Sequence, residues 1–179
     1  MRAGLELYRI HRSDASPLFF GPPSEAPESR FDDPSGEFKV CYLAERREGA
    51  FVETLLRGAS PLLLSWSDLE SRSIARVEVL EPLRLVEFLG PALRRLGGTA
   101  EVAATRDYTL SWAWARALWE HPSKPDGIVY RCRHDDSLLG VALFDRAGHR
   151  VALRGSVSLA SELHWLGELS ERYGFGLTV

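Results

Sequence analysis

The amino-acid sequence predicts one α+β (mixed α/β) domain over residues 1–179, and three observations carry that expectation. The chain has 179 residues, 45% of them hydrophobic, a size at which a single domain buries about 70% of the surface its unfolded chain exposes. Stretches with strand period and stretches with helix period follow one another without strict alternation, which argues for mixed rather than doubly wound architecture. No self-similar period of about 20–50 residues is present, so repeat architectures drop out.

The elements follow in chain order. Leu5–His11 alternates, with Tyr8 and Ile10 on one side and Leu5, Leu7, Arg9 and His11 on the other, and reads as a strand. Ser13–Glu37 has no periodicity and holds Pro17, Pro22, Pro23, Pro27 and Pro34, five of the chain's 10 prolines. A loop of that length in a compact domain is functional or disordered. Phe38–Ala44 is the next strand, with Phe38, Val40 and Tyr42 on one face. Glu48–Arg57 is a helix, since Phe51/Leu55 and Val52/Leu56 are i,i+4 pairs on one arc, and Gly58 can end it. Ser73–Leu80 and Leu83–Phe88 read as strands broken at Pro82, and Pro91–Leu96 as a short helix closed by Gly97 and Gly98. Thr105 is placed to cap a helix running to Glu120, in which Tyr108, Trp112, Ala115 and Trp119 form one stripe, with Trp114 alongside, and Pro122 stops it. Trp112, Trp114 and Trp119 are core, or one of them is an aromatic wall of a ligand pocket. Gly127–Arg133, Leu138–Phe144 and Arg150–Val157 are three strands, the second apolar on both faces and therefore central. Ser161–Tyr173 is an amphipathic helix, and Phe175–Val179 returns as a strand.

Composition narrows the function. The formal charge is −3, from 22 Lys+Arg against 25 Asp+Glu, and no basic block gives an electrostatic footprint for nucleic acid or an anionic membrane. The basic residues are 20 Arg and 2 Lys, and there is no Asn or Gln, a bias that fits a heat-tolerant source or a GC-rich genome. N-glycosylation, which needs Asn, is excluded. No membrane span or secretory leader is legible, so a cytoplasmic location and no membrane partner are expected. Cys41 and Cys132 are too few for a disulfide scaffold and lack metal-ligand spacing, and no metal site is expected.

Common catalytic motifs are absent. Neither Lys39 nor Lys124 follows a glycine, which removes the P-loop, and no His is followed by Glu, which removes H-E-x-x-H. The runs beginning at Gly58 and Gly155 lack the last glycine of a nucleophile elbow, and Gly174–Gly176 lies too near the end to open a dinucleotide-binding unit.

Four residues remain as candidates. Arg30, beside Phe31 and among Asp14, Glu25, Glu28, Asp32, Asp33 and Glu37, could grip a phosphate bidentately or pair with Asp32 or Asp33. Tyr42 could stack on a ring or simply pack with its hydroxyl satisfied. Glu53, at the edge of its helix's apolar arc, is a catalytic carboxylate or the i,i+4 partner of Arg57. Cys132 shares a strand face with Ile128 and Tyr130, as a small buried hydrophobe or, with His134, a nucleophilic pair.

An ordered series of segments then resembles one family: LYRIHR (Leu7–Arg12), PLFFG (Pro17–Gly21), RFDDPSGEFKVCYLA (Arg30–Ala44), AFVETLLR (Ala50–Arg57), PLRLVEF (Pro82–Phe88), DYTLSWAWARAL (Asp107–Leu118) and DGIVYRCRHD through ALFDR (Asp126–Arg146). Together they are similar to the RES-domain proteins, toxins of RES–Xre toxin–antitoxin modules. The resemblance implies an ADP-ribosyltransferase-like fold, a single RES-type domain with a split mixed sheet and flanking helices. It also implies cleavage of NAD between nicotinamide and ribose, with water or phosphate as acceptor. NAD is then a substrate, with inorganic phosphate as a co-substrate in the phosphate case, and no prosthetic group is expected.

The family's arginine, tyrosine and glutamate fall by motif on Arg30, Tyr42 and Glu53. Its serine falls on Cys132, a departure from the usual Y-x-S-R-H pattern and a weaker hydrogen-bond donor. Arg30, Tyr42, Glu53 and Cys132 are the expected catalytic set, and Arg9, Arg30 and Tyr42 the expected NAD-binding set. The acidic residues around Arg30 are expected to hold it on an exposed loop at the rim of the cleft. The implied partner is an Xre-type antitoxin, and a second copy of the chain stays open as another. ADP-ribosyl transfer to a protein, an impaired copy that only binds nucleotide or a partner, and a cysteine-nucleophile hydrolase are the alternatives.

Overall fold

The computed structural model describes residues 1–21, 27, 29–57, 62–99, 102, 105 and 107–178. The elements are β1 (Glu6–Arg12), β2 (Val40–Ala44), α1 (Arg47–Leu55), β3 (Leu62–Ser65), α2 (Trp66–Glu70), β4 (Arg72–Val79), β5 (Leu85–Phe88), α3 (Gly90–Arg95), α4 (Thr109–Glu120), β6 (Gly127–Arg131), β7 (Leu139–Phe144), β8 (Val151–Ser158), α5 (Leu163–Tyr173) and β9 (Phe175–Thr178), with 3₁₀ turns at Asp145–Arg150 and Leu159–Ser161.

Seven strands form a mixed sheet in the order β5-β6-β7-β2-β1-β4-β8, and β3 pairs with β9 in a parallel two-stranded sheet. Within the large sheet β5 and β6 run parallel and the other neighbours antiparallel. The expected split is visible in its registers. β1 aligns with β4 over Glu6–Arg12, and β2 with β7 over Val40–Ala44, but β1 and β2 meet in register only at Tyr8 and Ala44. The sheet therefore opens between a β5-β6-β7-β2 half and a β1-β4-β8 half.

Side-chain alternation sets what each half carries. On one face Leu7, Cys41, Val77 and Leu143 share a single core cluster. On the other face the core is divided: Ile10, Ala44, Phe51, Trp165 and Leu166 cluster with α1 and α5, whereas Val40, Phe88, Ile128, Phe144 and Ala115 cluster with α3 and α4. Along β2, Val40 belongs to one cluster and Ala44 to the other, with Tyr42 between them. A groove is left where the two cores part.

α1 lies close on the sheet because Gly49 has no side chain. A Cβ there would meet Ala44 Cβ at 3.0 Å and Cys132 Sγ at 3.6 Å. This close seat lets Phe51 and Val52 be fully buried while Glu53, next in sequence, reaches the groove. α5 ends at Gly174, whose φ of +67° is the left-handed cap that turns the chain into β9.

Several boundaries differ from the sequence-based expectation. α4 begins at Thr109, not after Thr105, whose Oγ1 instead accepts from the backbone of Asp107. Asp107 in turn accepts from the backbone of Thr109, so two consecutive short turns lead into the helix. Residues 22–26 and 28 of the long loop, Gly58 and Val179 lie outside the described residues. β3 and α2 were not expected. The apolar run at 62–64 has no alternation, and α2 is a single turn capped by Ser65 Oγ, which accepts from Asp68 N at 3.1 Å.

Candidate active site

The groove at the split holds about 570 Å³, within the range of small-molecule sites. Tyr8 and Ile10 of β1 and Tyr42 and Ala44 of β2 line its floor. Ala50, Glu53 and Thr54 of α1 form one wall, Ser29, Arg30 and Tyr108 another, and Arg57, Arg133 and His134 edge it.

Arg30 is not on an exposed loop. It is 6% exposed, with Nε and Nη1 buried and without a hydrogen-bond partner, and its guanidinium carbon lies 5.5 Å from the Tyr130 ring centroid. The following residue explains this: Phe31 is fully buried, edge-on to Phe88 and Tyr130 at 5.8 and 5.1 Å, and draws the chain inward. The segment is fastened on both sides. Trp112 Nε1 donates to Ser29 O at 3.0 Å, and Tyr42 Oη accepts from Phe31 N and donates to Asp32 Oδ1, both at 2.9 Å. Asp33, the other expected partner of Arg30, instead pairs with Arg116 at 3.4 Å and accepts from Ser35 and Glu37. The acids thus shape the loop, while two guanidinium nitrogens stay available.

Tyr42 therefore contributes its ring to the groove and its hydroxyl to the loop. Burial, and then the adjacent Asp32 carboxylate, raise its pKa well above the ordinary phenol value, so the hydroxyl stays protonated at neutral pH. Tyr42→Phe leaves the amide of Phe31 without the hydroxyl it donates to. It is expected to lower stability by about 1–3 kcal/mol in urea denaturation.

Glu53 is not the side-chain partner of Arg57, which donates from Nε to the Glu53 carbonyl. Its carboxylate reaches across the groove instead. Oε1 accepts from the backbone amides of Arg133 at 2.6 Å and His134 at 3.3 Å, residues 80 and 81 positions away. A carboxylate fixed by two amides is oriented before any ligand arrives.

Cys132 and His134 do not form a nucleophilic pair. β6 ends at Arg131, Cys132 is 1% exposed inside the α1/α5 core cluster, and His134 is exposed at the groove. Burial, then the nearby Glu53 charge, push the Cys132 thiol up to about 12, so no thiolate forms near neutrality. Alkylation with iodoacetamide at pH 7 should leave the folded protein unmodified at Cys132 by mass spectrometry. Arg9 also borders the groove, but its guanidinium is engaged elsewhere. Its Nη1 donates to Phe19 O at 2.7 Å and Cys41 Sγ at 2.8 Å, on the face opposite Tyr8 and Ile10. The arrangement does not bring Arg9 into a phosphate site.

Sequence reasoning missed Tyr8, Tyr108 and Arg133, and weighed His134 only as a partner of Cys132. Only the alternation that puts Tyr8 beside Ile10 hinted at one of them. Burial lowers the His134 pKa from its ordinary value, an effect the Glu53 carboxylate opposes and Arg133, Arg57 and Arg30 reinforce. Among the described residues, no group of three or more His, Cys, Asp or Glu is arranged to hold a metal ion.

A buried arginine with free donors, a ring at the floor and an oriented carboxylate lie in one groove, on the three positions that the motif series singled out. A family model for the RES domain matches residues 6–165. The chain belongs to the RES-domain family. A Sinorhizobium fredii protein named "Probable toxin y4kH" is 33% identical to this RES domain over 100 residues, 56% of this chain and 76% of that one. In the crystal structure of the M. tuberculosis MbcT–MbcA toxin–antitoxin complex, one chain superposes with a TM-score of 0.71 at 18% identity, covering 93% of this chain and 90% of its own. That likeness is one of fold: a single mixed α/β domain with a large mixed sheet and flanking helices, as expected from the sequence.

Proposed function

We propose that this protein is the toxin of a toxin–antitoxin module and that it acts by cleaving NAD between nicotinamide and ribose. Family membership and the relatives named as toxins support the first part. The observation that carries the second is Arg30, a buried guanidinium with two unpartnered nitrogens at the groove. Such a group is costly unless an anion completes it, and its planar fork suits a pyrophosphate. The Tyr42 ring at the floor offers a surface for a flat ring.

In the chemistry that follows, the bond from ribose C1′ to the nicotinamide nitrogen breaks and nicotinamide leaves with the electron pair as a neutral molecule. Positive charge develops at the ribose carbon, by analogy with glycoside cleavage. Glu53, already oriented by two backbone amides, stabilises that charge without reorganising. Water or phosphate then bonds to C1′, and a water acceptor gives up one proton to solvent. The protein acts in the cytoplasm, where NAD is plentiful, and an Xre-type antitoxin that covers the groove holds it inactive.

The test is incubation of the pure protein with NAD, with and without inorganic phosphate, following nicotinamide release. Release that yields ADP-ribose in buffer, or its 1-phosphate when phosphate is present, supports the reading. Absence of release together with absence of growth arrest on expression overturns it, and label from NAD on a protein band would make the acceptor a macromolecule.

A further inference from the structure

The Glu53 carboxylate depends on a loop that another part of the fold holds. The two amides it accepts from belong to Arg133 and His134, in the connection between β6 and β7. That connection closes on itself, with Cys132 N donating to Leu138 O at 2.9 Å and Leu138 N to Asp135 O at 3.1 Å. Its centre is the carboxylate of Asp135, whose side chain is only 14% exposed. Asp135 Oδ1 accepts from Ser137 N at 3.1 Å and Ser137 Oγ at 2.5 Å, an Asx turn that sets the loop's local shape. Its other oxygen faces away from the loop, where Tyr173 Oη donates to Oδ2 at 2.8 Å and Arg172 Nη2 at 3.1 Å. Tyr173 is packed against the α1/α5 core and sits one residue before the Gly174 cap, so the anchor is a rigid helix end.

We propose that Asp135, clamped by Tyr173 and Arg172, is a positioning residue for the reaction: it fixes the backbone amides of Arg133 and His134 where they orient Glu53. This rests on Glu53 as the group beside the reacting carbon. Asp135 itself touches no substrate. Its oxygens are all engaged by the loop and by α5, and it does not line the groove. The clamp therefore acts on turnover and not on NAD binding, which falls to Arg30 on the opposite wall.

The experiment compares wild type with Tyr173→Phe, Asp135→Ala and Asp135→Asn, measuring nicotinamide release against NAD concentration and normalising to folded protein by circular dichroism. Tyr173→Phe removes one hydrogen bond and should lower kcat about 5- to 10-fold. Asp135→Ala frees the loop and should lower kcat by about 30- to 100-fold, the cost of a misplaced catalytic group. In both, KM for NAD should stay within about twofold of wild type, since uniform binding is untouched. Asp135→Asn keeps an acceptor for Ser137 and a polar partner for Tyr173, and should recover most of the loss.

An independent readout follows the backbone amide resonances of Arg133 and His134, which should shift and lose exchange protection in Asp135→Ala. A rise in KM at constant kcat, unchanged activity per folded molecule, or unperturbed amides would overturn the assignment. If wild type releases no nicotinamide, the proposed activity fails instead, and the amide resonances still decide whether Asp135 positions the Glu53 partners.

Discussion

Arg30→Met is expected to lower NAD cleavage by at least about 100-fold while the protein unfolds at the same urea concentration as wild type or a higher one. The two halves of this result have separate causes. Turnover falls because the two free guanidinium nitrogens are the groove's unspent buried donors, and no other side chain in the described structure offers the same pair. Stability is held because Met fills much the same volume beside Tyr130 without a charge. Replacing a buried ion by a well-packed apolar group is commonly neutral or stabilising, by up to a few kcal/mol. An exposed loop arginine would give a different pattern, with lost activity and no gain in stability. Measuring nicotinamide release and the urea midpoint on the same preparation checks both. Retained NAD binding by calorimetry, or a loss of several kcal/mol in stability, would count against the assignment.

Glu53→Gln is expected to lower kcat by about 100- to 1,000-fold with KM for NAD changed only a few-fold. The substitution is chosen for what it keeps. The amide oxygen of Gln can accept from Arg133 N and His134 N as Oε1 does now, so the orientation of the side chain survives and the charge alone is removed. Glu53→Ala would confound the two by leaving the part-buried Arg133 amide without this partner, at about 1 kcal/mol or more. If Gln supports near-normal kcat, the carboxylate is not stabilising charge at the ribose carbon, and its part would be confined to shaping the groove.

The secondary structure was largely legible in the sequence because strand and helix periods are local. Tyr8 and Ile10 alternate against Leu7 and Arg9, and Phe51 and Val52 recur with Leu55 and Leu56, whatever the chain packs against. The elements that escaped were those whose stability is tertiary. β3 is a four-residue strand whose partner, β9, comes from more than 100 residues away. Thr105 looked like a cap, yet the short Thr105/Asp107 turns start α4 at Thr109.

The site was legible in part for the same reason. Arg30, Tyr42 and Glu53 were identified from local motifs, and the fold brings all three to one groove. Cys132 and Arg9 were chosen by the same means. In the fold Cys132 packs in the core, and the Arg9 guanidinium bonds on the far side of the sheet.

The sequence by itself determined the order of elements and the family, since both are written in short runs of neighbouring residues. The tertiary structure decided what the polar groups do. Burial of Phe31 took Arg30 out of solvent, strand alternation turned Arg9 away, and the Glu53 carboxylate found its partners on a loop 80 residues along the chain. A hydrogen bond or a desolvated charge depends on which distant groups the packed sheet and helices bring within about 3 Å, and no local pattern encodes that distance.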